Sequence, residues 1–188
     1  MPNWCENNLS ISGPTSKIED KFRGLIGNGE GLLNTVRPQP ENLFRDDLSA
    51  QDKEDCKKKG IPNWYDWNIA NWGTKWEASD CDLDIQDNGD GTSTLYAFFL
   101  TAWCPPVEAF TELDEDLIVS LEFHEGGMAF VGQYTSEGGY EEYDYSDENL
   151  TPLNVKDFIP ENLVEDWCIR EYLEAEASTN KYQKLMGL

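Results

Sequence analysis

Residues 81–103 constrain the fold more than any other part of the sequence. Asp82 and Asp84 alternate with apolar residues at the start of this segment, and a period of two is typical of a half-buried strand with both aspartates on its outer face. Residues 87–91 are Asp-Asn-Gly-Asp-Gly, which favours a turn, and residues 95–103 are almost entirely apolar. The pattern predicts a β-hairpin whose second strand is central in a sheet and covered on both faces.

The N-terminal residues predict a strand followed by a helix. Residues 4–12 end in an alternation of polar and apolar residues and stop at a Gly-Pro pair, as a strand does. Either Thr15 or Ser16 can cap the helix, and Glu19 lies three residues after Ser16, as a capping box requires. The Gly-Asn-Gly of residues 27–29 is expected to end this helix.

Two more segments precede the hairpin. Residues 32–36 are predicted to form a second strand, which stops because two prolines follow within four residues. Residues 41–72 are predicted to be an exposed, partly helical insertion. Its last part is expected to be a short helix with Pro62 near the first helical position.

The second half of the chain continues the mixed pattern. Pro105 and Pro106 precede apolar residues at helical spacing as far as Leu117, and residues 119–131 predict a second hairpin. Residues 136–149 predict a loop or an irregular sheet edge, because they are rich in Gly, Tyr and acidic residues. A C-terminal helix is expected over residues 161–177.

The order of these elements predicts an α+β protein. A strand and helix, a further strand, an insertion, and then two strand pairs separated by a helix are compatible with a ferredoxin-like sandwich. Its mainly antiparallel sheet carries helices on one face. We expect residues 1–188 to form a single domain, with the insertion at about residues 41–72 and the C-terminal helix as additions.

The net charge of −23 is distributed unevenly along the chain. Residues 1–75 contain 10 basic and 11 acidic residues, whereas residues 76–155 contain no Lys or Arg and 19 acidic residues. Such self-repulsion lowers the stability of a folded chain. A concentrated acidic region therefore indicates a role for the charge, most simply an attraction to a basic partner.

Composition also indicates the compartment. No apolar run approaches the roughly 18 residues that a membrane-spanning helix requires, and the N-terminus does not resemble a signal peptide. The five cysteines are scattered and form no Cys-x-x-Cys pair, which is typical of reduced thiols. These features predict a cytoplasmic location, with no membrane partner.

Patterns for enzymes and cofactors are weak. The only histidine, His124, is predicted on the solvent side of a strand, so it is a poor candidate for a general base. The aspartates between Asp80 and Asp90 do not match an EF-hand, since Ile85 stands where the glycine is required. The sequence therefore favours a binding protein over an enzyme and predicts no catalytic residue, no metal and no cofactor.

An acidic, tyrosine-rich segment is the best candidate for a partner-binding site. Nucleic-acid binding normally requires basic residues among aromatic ones, whereas this segment has acidic residues there. Tyrosine provides contact area at low entropic cost, and carboxylates orient a basic partner. The predicted partner-binding residues are Glu137, Tyr140, Glu141, Glu142, Tyr143, Asp144 and Tyr145. A solvated loop without a partner is the alternative.

Four short strings resemble one family of proteins. They lie in residues 1–13 (beginning Met-Pro-Asn-Trp-Cys), 71–76 (Asn-Trp-Gly-Thr-Lys-Trp), 101–106 (Thr-Ala-Trp-Cys-Pro-Pro) and 123–132 (from Phe-His-Glu-Gly-Gly). Together they resemble the Api92-like or YubB-like family of phage and plasmid proteins, although Cys104 stands where that family is expected to have Ser. The resemblance implies a ferredoxin-like domain and a mobile-element origin, and it supplies no catalytic residues.

These observations lead to one main hypothesis and two alternatives. The main hypothesis is a phage accessory protein that binds and inhibits a host protein, such as a defence protein, by occupying its basic surface, with a nucleic-acid mimic as one form. The first alternative is a metal- or nucleotide-dependent enzyme that uses the carboxylates between Asp80 and Asp90, or His124. The second is a structural module whose acidity serves solubility.

Overall fold

The computed structural model describes residues 3–27, 31–147 and 149–186, with side chains as far as Thr179. Its centre is a six-stranded antiparallel sheet in the order β2-β3-β1-β4-β5-β6. The strands are β1 (Trp4–Pro14), β2 (Ser79–Asp87), β3 (Thr92–Ala102), β4 (Ile118–Glu125), β5 (Phe130–Thr135) and β6 (Gly139–Asp144). The α-helices are α1 (Thr15–Phe22), α2 (Leu32–Val36), α3 (Ala50–Lys59), α4 (Trp64–Trp72), α5 (Val107–Phe110), α6 (Glu161–Asp166) and α7 (Ile169–Met186).

The strand order confirms the α+β sandwich predicted from the sequence. The four strands β2-β3-β1-β4 have the order of a ferredoxin-like sheet, in which β3 lies between β1 and β2. Helices α1, α2, α3 and α4 connect β1 to β2, and α5 connects β3 to β4. Strands β5 and β6 extend the sheet beyond this unit.

Strand β1 has a strictly alternating pattern, and it lies at the centre of the sheet. Cys5, Asn7, Leu9 and Ile11 are all at most 1% exposed and point toward the helices, whereas Asn8 is exposed on the opposite face. The inward residues join the apolar side chains of β3, β4, α1, α2 and α5 in the larger core. Burial of a Leu or Ile side chain contributes about 1.5–3 kcal/mol, so this core is the main source of stability.

A second, smaller core lies on the other face of the sheet. Val131 of β5 belongs to the same buried cluster as Val155, Leu163 and Ile169 of the C-terminal part of the chain. A hydrogen bond of 3.0 Å from Asn162 of α6 to the carboxylate of Glu122 attaches the same region to β4. The C-terminal helices therefore cover the β4-β5 side of the face that α1 and α5 leave free.

The prediction of a strand at residues 32–36 is wrong, because these residues form α2. Leu32, Leu33 and Val36 are buried on one side of this short helix. Its first turn is capped from far away in the sequence: the Glu77 carboxylate accepts hydrogen bonds from the N–H groups of Leu33 (2.7 Å) and Asn34 (3.0 Å). A five-residue helix depends on such tertiary contacts, which local sequence does not reveal.

Several predicted boundaries also differ. Helix α1 begins at Thr15 without a side-chain cap, so the predicted capping box is wrong. Asn63, rather than Pro62, starts α4 by accepting a hydrogen bond from the Asp66 N–H. Helix α5 is a single turn that does not reach Leu117. Of the predicted stop at residues 27–29, residues 28 and 29 lie outside the described part of the chain.

Three further corrections concern the exposure of β3, the C-terminal helix and the edge of the sheet. Strand β3 is not covered on both faces, since Tyr96 is 46% and Phe98 42% exposed. The C-terminal helix divides into α6 and α7 at Cys168, whose φ of 52° is left-handed. Residues 139–144, expected to be a loop or an irregular edge, form the regular edge strand β6.

The capping of α2 by Glu77 predicts a measurable loss of stability. Glu77→Ala leaves two N–H groups of the first turn without their acceptor, so we expect the free energy of unfolding to fall by about 1–3 kcal/mol. Urea denaturation followed by circular dichroism measures this change. Glu77→Gln, which retains one acceptor oxygen, is expected to lose less.

The matched control is Glu115→Ala, which removes an exposed carboxylate from the loop after α5. We expect its effect to stay within about 0.5 kcal/mol. Equal effects of the Glu77 and Glu115 substitutions would show that the cap does not stabilise α2.

Candidate partner-binding surface

The tyrosine-rich segment forms the free edge of the sheet. Strand β6 pairs with β5, so that Tyr140 faces Tyr134 and Asp144 faces Phe130. No described strand pairs with the other side of β6. An edge strand presents N–H and C=O groups that can pair with another chain. Five of the predicted partner-binding residues, Tyr140 to Asp144, lie on this strand.

Side chains alternate between the two faces of β6. Tyr140 points toward the larger core side, where its ring stacks on Phe123 with centroids 5.5 Å apart and planes 11° apart. Its hydroxyl donates a hydrogen bond to Glu142 on the same face. On the other face, the Tyr143 hydroxyl donates to Glu141 at 3.3 Å. Each phenol is therefore paired with a neighbouring carboxylate.

These pairs favour the neutral form of both phenols. Burial and the adjacent Glu142 raise the pKa of Tyr140 well above its usual range. Burial and Glu141 act in the same direction on the pKa of Tyr143. Hydrogen bonds from Ser146 hold the pKa of Asp144 below its usual value. Among the described residues, no Lys or Arg forms an ion pair with a β6 carboxylate.

Lys and Arg side chains are absent from all six described strands, not from β6 alone. None of the chain's 14 Lys and Arg residues lies in the six described strands. The strands nevertheless carry Asp and Glu side chains, among them the exposed Asp82 and Asp84 of β2. The described basic residues lie in helices and loops, for example Lys17 of α1 and Lys156 before α6. The acidic potential of the sheet is therefore not neutralised within it.

Two of the predicted partner-binding residues do not lie on β6. Glu137 is exposed in the turn between β5 and β6. Tyr145 follows β6 but is completely buried, so its side chain is not part of the surface. Its hydroxyl lies 2.6 Å from Nε2 of His124, and its ring packs edge-on against Tyr172 at 5.2 Å. Tyr145 is a core residue, and the other six remain candidates for partner binding.

His124 also differs from its prediction, because Tyr145 and Trp167 cover it. Its side chain is 14% exposed and stacks between Tyr145 and Trp167, with centroid distances of 5.8 and 5.4 Å. Its Nδ1 lies 3.2 Å from the Glu6 carboxylate. Alternation correctly places His124 opposite the larger core, but it gives no information about a second core on that face.

Two of the carboxylates between Asp80 and Asp90 serve the hairpin turn. Asp87 accepts a hydrogen bond from the Gly89 N–H at 2.8 Å, and Asp90 accepts one from the Thr92 N–H at 3.0 Å. The described residues contain no group of three or more His, Cys, Asp or Glu side chains that can hold a metal ion. Asp87 and Asp90 therefore have local roles in the turn between β2 and β3.

A cleft beside β6 brings together residues that the sequence analysis did not connect. This Tyr140 cleft has a volume of about 610 Å³. Its lining includes Cys104, Val107, Glu108, Met128, Phe130 and Tyr140. Gly73, Cys104 and Phe130 come from three of the four strings described above, and no spacing in the sequence indicates that they meet.

The fold and this surface define an acidic α+β sandwich protein with a free sheet edge. No family model and no curated protein matches the chain. Among solved structures, it is similar to the crystal structure of a protein Api92 from Yersinia pseudotuberculosis, family-model DUF1281. The identity is 11% and the TM-score 0.42, with 80% of this chain and 100% of that chain covered. In the described ranges, no helix has the length and apolarity needed to cross a membrane.

The different positions of Tyr145 and Tyr140 predict different mutational effects. Tyr145→Phe removes the hydroxyl partner of buried His124, so we expect it to lower the free energy of unfolding by about 0.5–1.5 kcal/mol. Tyr140→Phe removes a hydroxyl from a half-exposed side chain, and its effect is expected to stay within about 0.5 kcal/mol. Urea denaturation compares the two variants, and equal losses would contradict a structural role for the Tyr145 hydroxyl.

Burial of Tyr145 also predicts a dependence of stability on pH. Burial raises the pKa of the Tyr145 phenol above its usual value near 10, so the unfolded chain releases this proton at lower pH than the folded chain. Its contribution is complete below pH about 10 and is lost as the pH rises above that value. We expect Tyr145→Phe to reduce the alkaline slope, measured by urea denaturation at several pH values. An unchanged slope would show that this phenol titrates alike in both states.

Proposed function

We propose that this chain is a phage accessory protein that binds and inhibits a host protein in the bacterial cytoplasm by placing β6 against a basic surface of that protein. The observation that supports this most strongly is the free β6 edge, whose exposed carboxylates have no cationic partner among the described residues. The mobile-element origin is supported by the family resemblance of the four strings.

Two physical contributions support binding at β6. The free backbone groups of the edge strand can add a strand of the partner to the sheet, which provides main-chain hydrogen bonds. Glu137, Glu141, Glu142 and Asp144 add long-range attraction that orients a basic surface before contact. The phenol rings of Tyr140 and Tyr143 add apolar contact area beside the charges.

Inhibition follows if the basic surface is one that the host protein needs. A surface that binds nucleic acid carries Lys and Arg for phosphate contacts. The carboxylates of β6 can pair with the same Lys and Arg side chains. The chain then acts as a nucleic-acid mimic. Direct binding of this sheet to nucleic acid is disfavoured, because the described strands contain no Lys or Arg.

Neutralisation of the β6 surface is expected to remove the partner. We expect the triple variant Glu137→Gln, Glu141→Gln, Asp144→Asn to retain at least tenfold less of the wild-type partner from a bacterial host lysate. The wild type should retain it at low salt and release it near 1 M salt, where the screening length falls to about 3 Å. Quantitative mass spectrometry of the retained proteins measures both effects.

The control removes three charges elsewhere through Asp82→Asn, Asp84→Asn and Glu115→Gln, all at exposed positions. We expect this variant to retain the partner, because its β6 surface is intact. Equal loss with both triple variants, or retention that is indifferent to salt, would contradict the proposal. If the chain acts as a nucleic-acid mimic, duplex DNA should displace the retained protein more effectively than the same concentration of a neutral polymer.

A further inference from the structure

The Tyr140 cleft has walls that are fixed by several separate segments. Gly73 ends α4 with a φ of 82°, and a Cβ there would lie 3.2 Å from the carbonyl oxygen of Pro105. The Thr101 hydroxyl donates a hydrogen bond to the carbonyl of Cys104 at 2.8 Å. The buried Thr74 hydroxyl donates to the carbonyl of Ala102 at 2.9 Å. A cleft whose main chain is held in this way loses little entropy when a ligand enters.

The lining combines apolar walls with negative charge. Val107, Met128 and Phe130 provide apolar surface, and Glu108 and Glu142 provide the two charged side chains of the described lining. Arg37 lies close by, but it donates to the Glu108 main-chain carbonyl and to the Glu112 carboxylate instead of the Glu108 carboxylate.

The local potential is negative for a second reason. The pKa of the Cys104 thiol is raised, first by burial and then by the negative charges of Glu142 and Glu125. Glu125 is itself buried, and it accepts hydrogen bonds from the N–H groups of Gly127 and Met128 at 2.8 and 2.7 Å. Burial disfavours a charge of either sign, whereas the two carboxylates specifically favour a cation at this position.

We propose that the Tyr140 cleft receives one Lys or Arg side chain of the partner that binds at β6, and this assignment rests on the proposed function. Lys and Arg bury an apolar stem and keep a charged head at the polar end. The stem would contact Val107 and Phe130, and the head would lie at Glu108 and Glu142. The half-exposed ring of Tyr140 can add a cation–π contact. The volume of the cleft lies within the range of small-ligand sites.

The first test uses the isolated chain and the thiol of Cys104, a residue at the surface, as a reporter. A cationic and an anionic methanethiosulfonate of equal size react with this thiol, and peptide mass spectrometry measures each rate. We expect the cationic reagent to react at least tenfold faster at low salt. The double variant Glu108→Gln, Glu142→Gln should reduce this ratio at least threefold.

The matched control is Glu165→Gln with Asp166→Asn, which removes the same charge from α6. It should leave the Cys104 ratio unchanged. If both double variants reduce the ratio equally, the selectivity arises from the net charge of the protein, and the cleft is not a cation site.

The second test measures occupancy directly. Nα-acetyl-lysine methylamide and the neutral Nα-acetyl-norleucine methylamide have similar apolar stems and differ in the charged head. We expect the lysine derivative to shift the Met128 methyl resonance in a saturable way, and to bind at least tenfold more tightly than the norleucine derivative. Equal binding of the two compounds, or no saturable shift with either, would overturn the proposal.

The third test separates this proposal from the proposed function. The triple variant of the β6 surface leaves Glu108 and Glu142 in place, and Glu108→Gln alone leaves every β6 carboxylate in place, so the two surfaces can be altered independently. We expect Glu108→Gln to reduce partner retention at least threefold. If the lysine derivative binds but retention is unaffected, the cleft does not receive a partner side chain, and binding at β6 remains supported by the triple variant alone.

Discussion

The pairing of β1 with strands on both sides is the interaction on which the rest of the structure depends. Its residues Trp4–Pro14 face Thr92–Ala102 of β3, and Glu6–Ser12 face Ile118–His124 of β4. Its inward side chains are the centre of the larger core. The sheet can therefore tolerate a long acidic extension, because the apolar contacts that stabilise it are concentrated away from β6.

The distribution of charge separates a periphery that contains ion pairs from a sheet whose described strands contain no Lys or Arg. Ion pairs such as Lys17 with Asp114 (2.7 Å) and Lys156 with Glu165 (2.6 Å) lie on helices and loops at the periphery. Exposed pairs of this kind contribute little stability, about 0–1 kcal/mol each. The sheet has no Lys or Arg with which its carboxylates could pair internally. A basic partner would relieve the resulting repulsion, so the charge that destabilises the free chain favours the complex.

The sequence predicts those elements whose pattern is local and fails where distant contacts decide. Strands β1, β2 and β4 were predictable because their side chains alternate between a buried and an exposed face. Helix α2 was not, since its first turn is capped by Glu77, which is 44 residues from Leu33. Six of the seven predicted partner-binding residues lie at the surface, but Tyr145 does not, because α7 provides the cover.

Contacts between distant residues also explain why the sequence does not predict the Tyr140 cleft. Its carboxylates, Glu108 and Glu142, lie 34 residues apart and meet only because β6 extends the sheet past α5.

The composition of β6 also bears on which chains can pair with its free edge. Two copies of an edge strand can add to each other, and like charges facing each other oppose this pairing. Glu141, Glu142 and Asp144 place three negative charges and no positive charge on a six-residue strand, so a second copy is repelled at the distance where hydrogen bonds would form. A basic strand meets attraction at the same distance. The acidic residues therefore disfavour self-association through β6 and leave its backbone groups available to a partner of opposite charge.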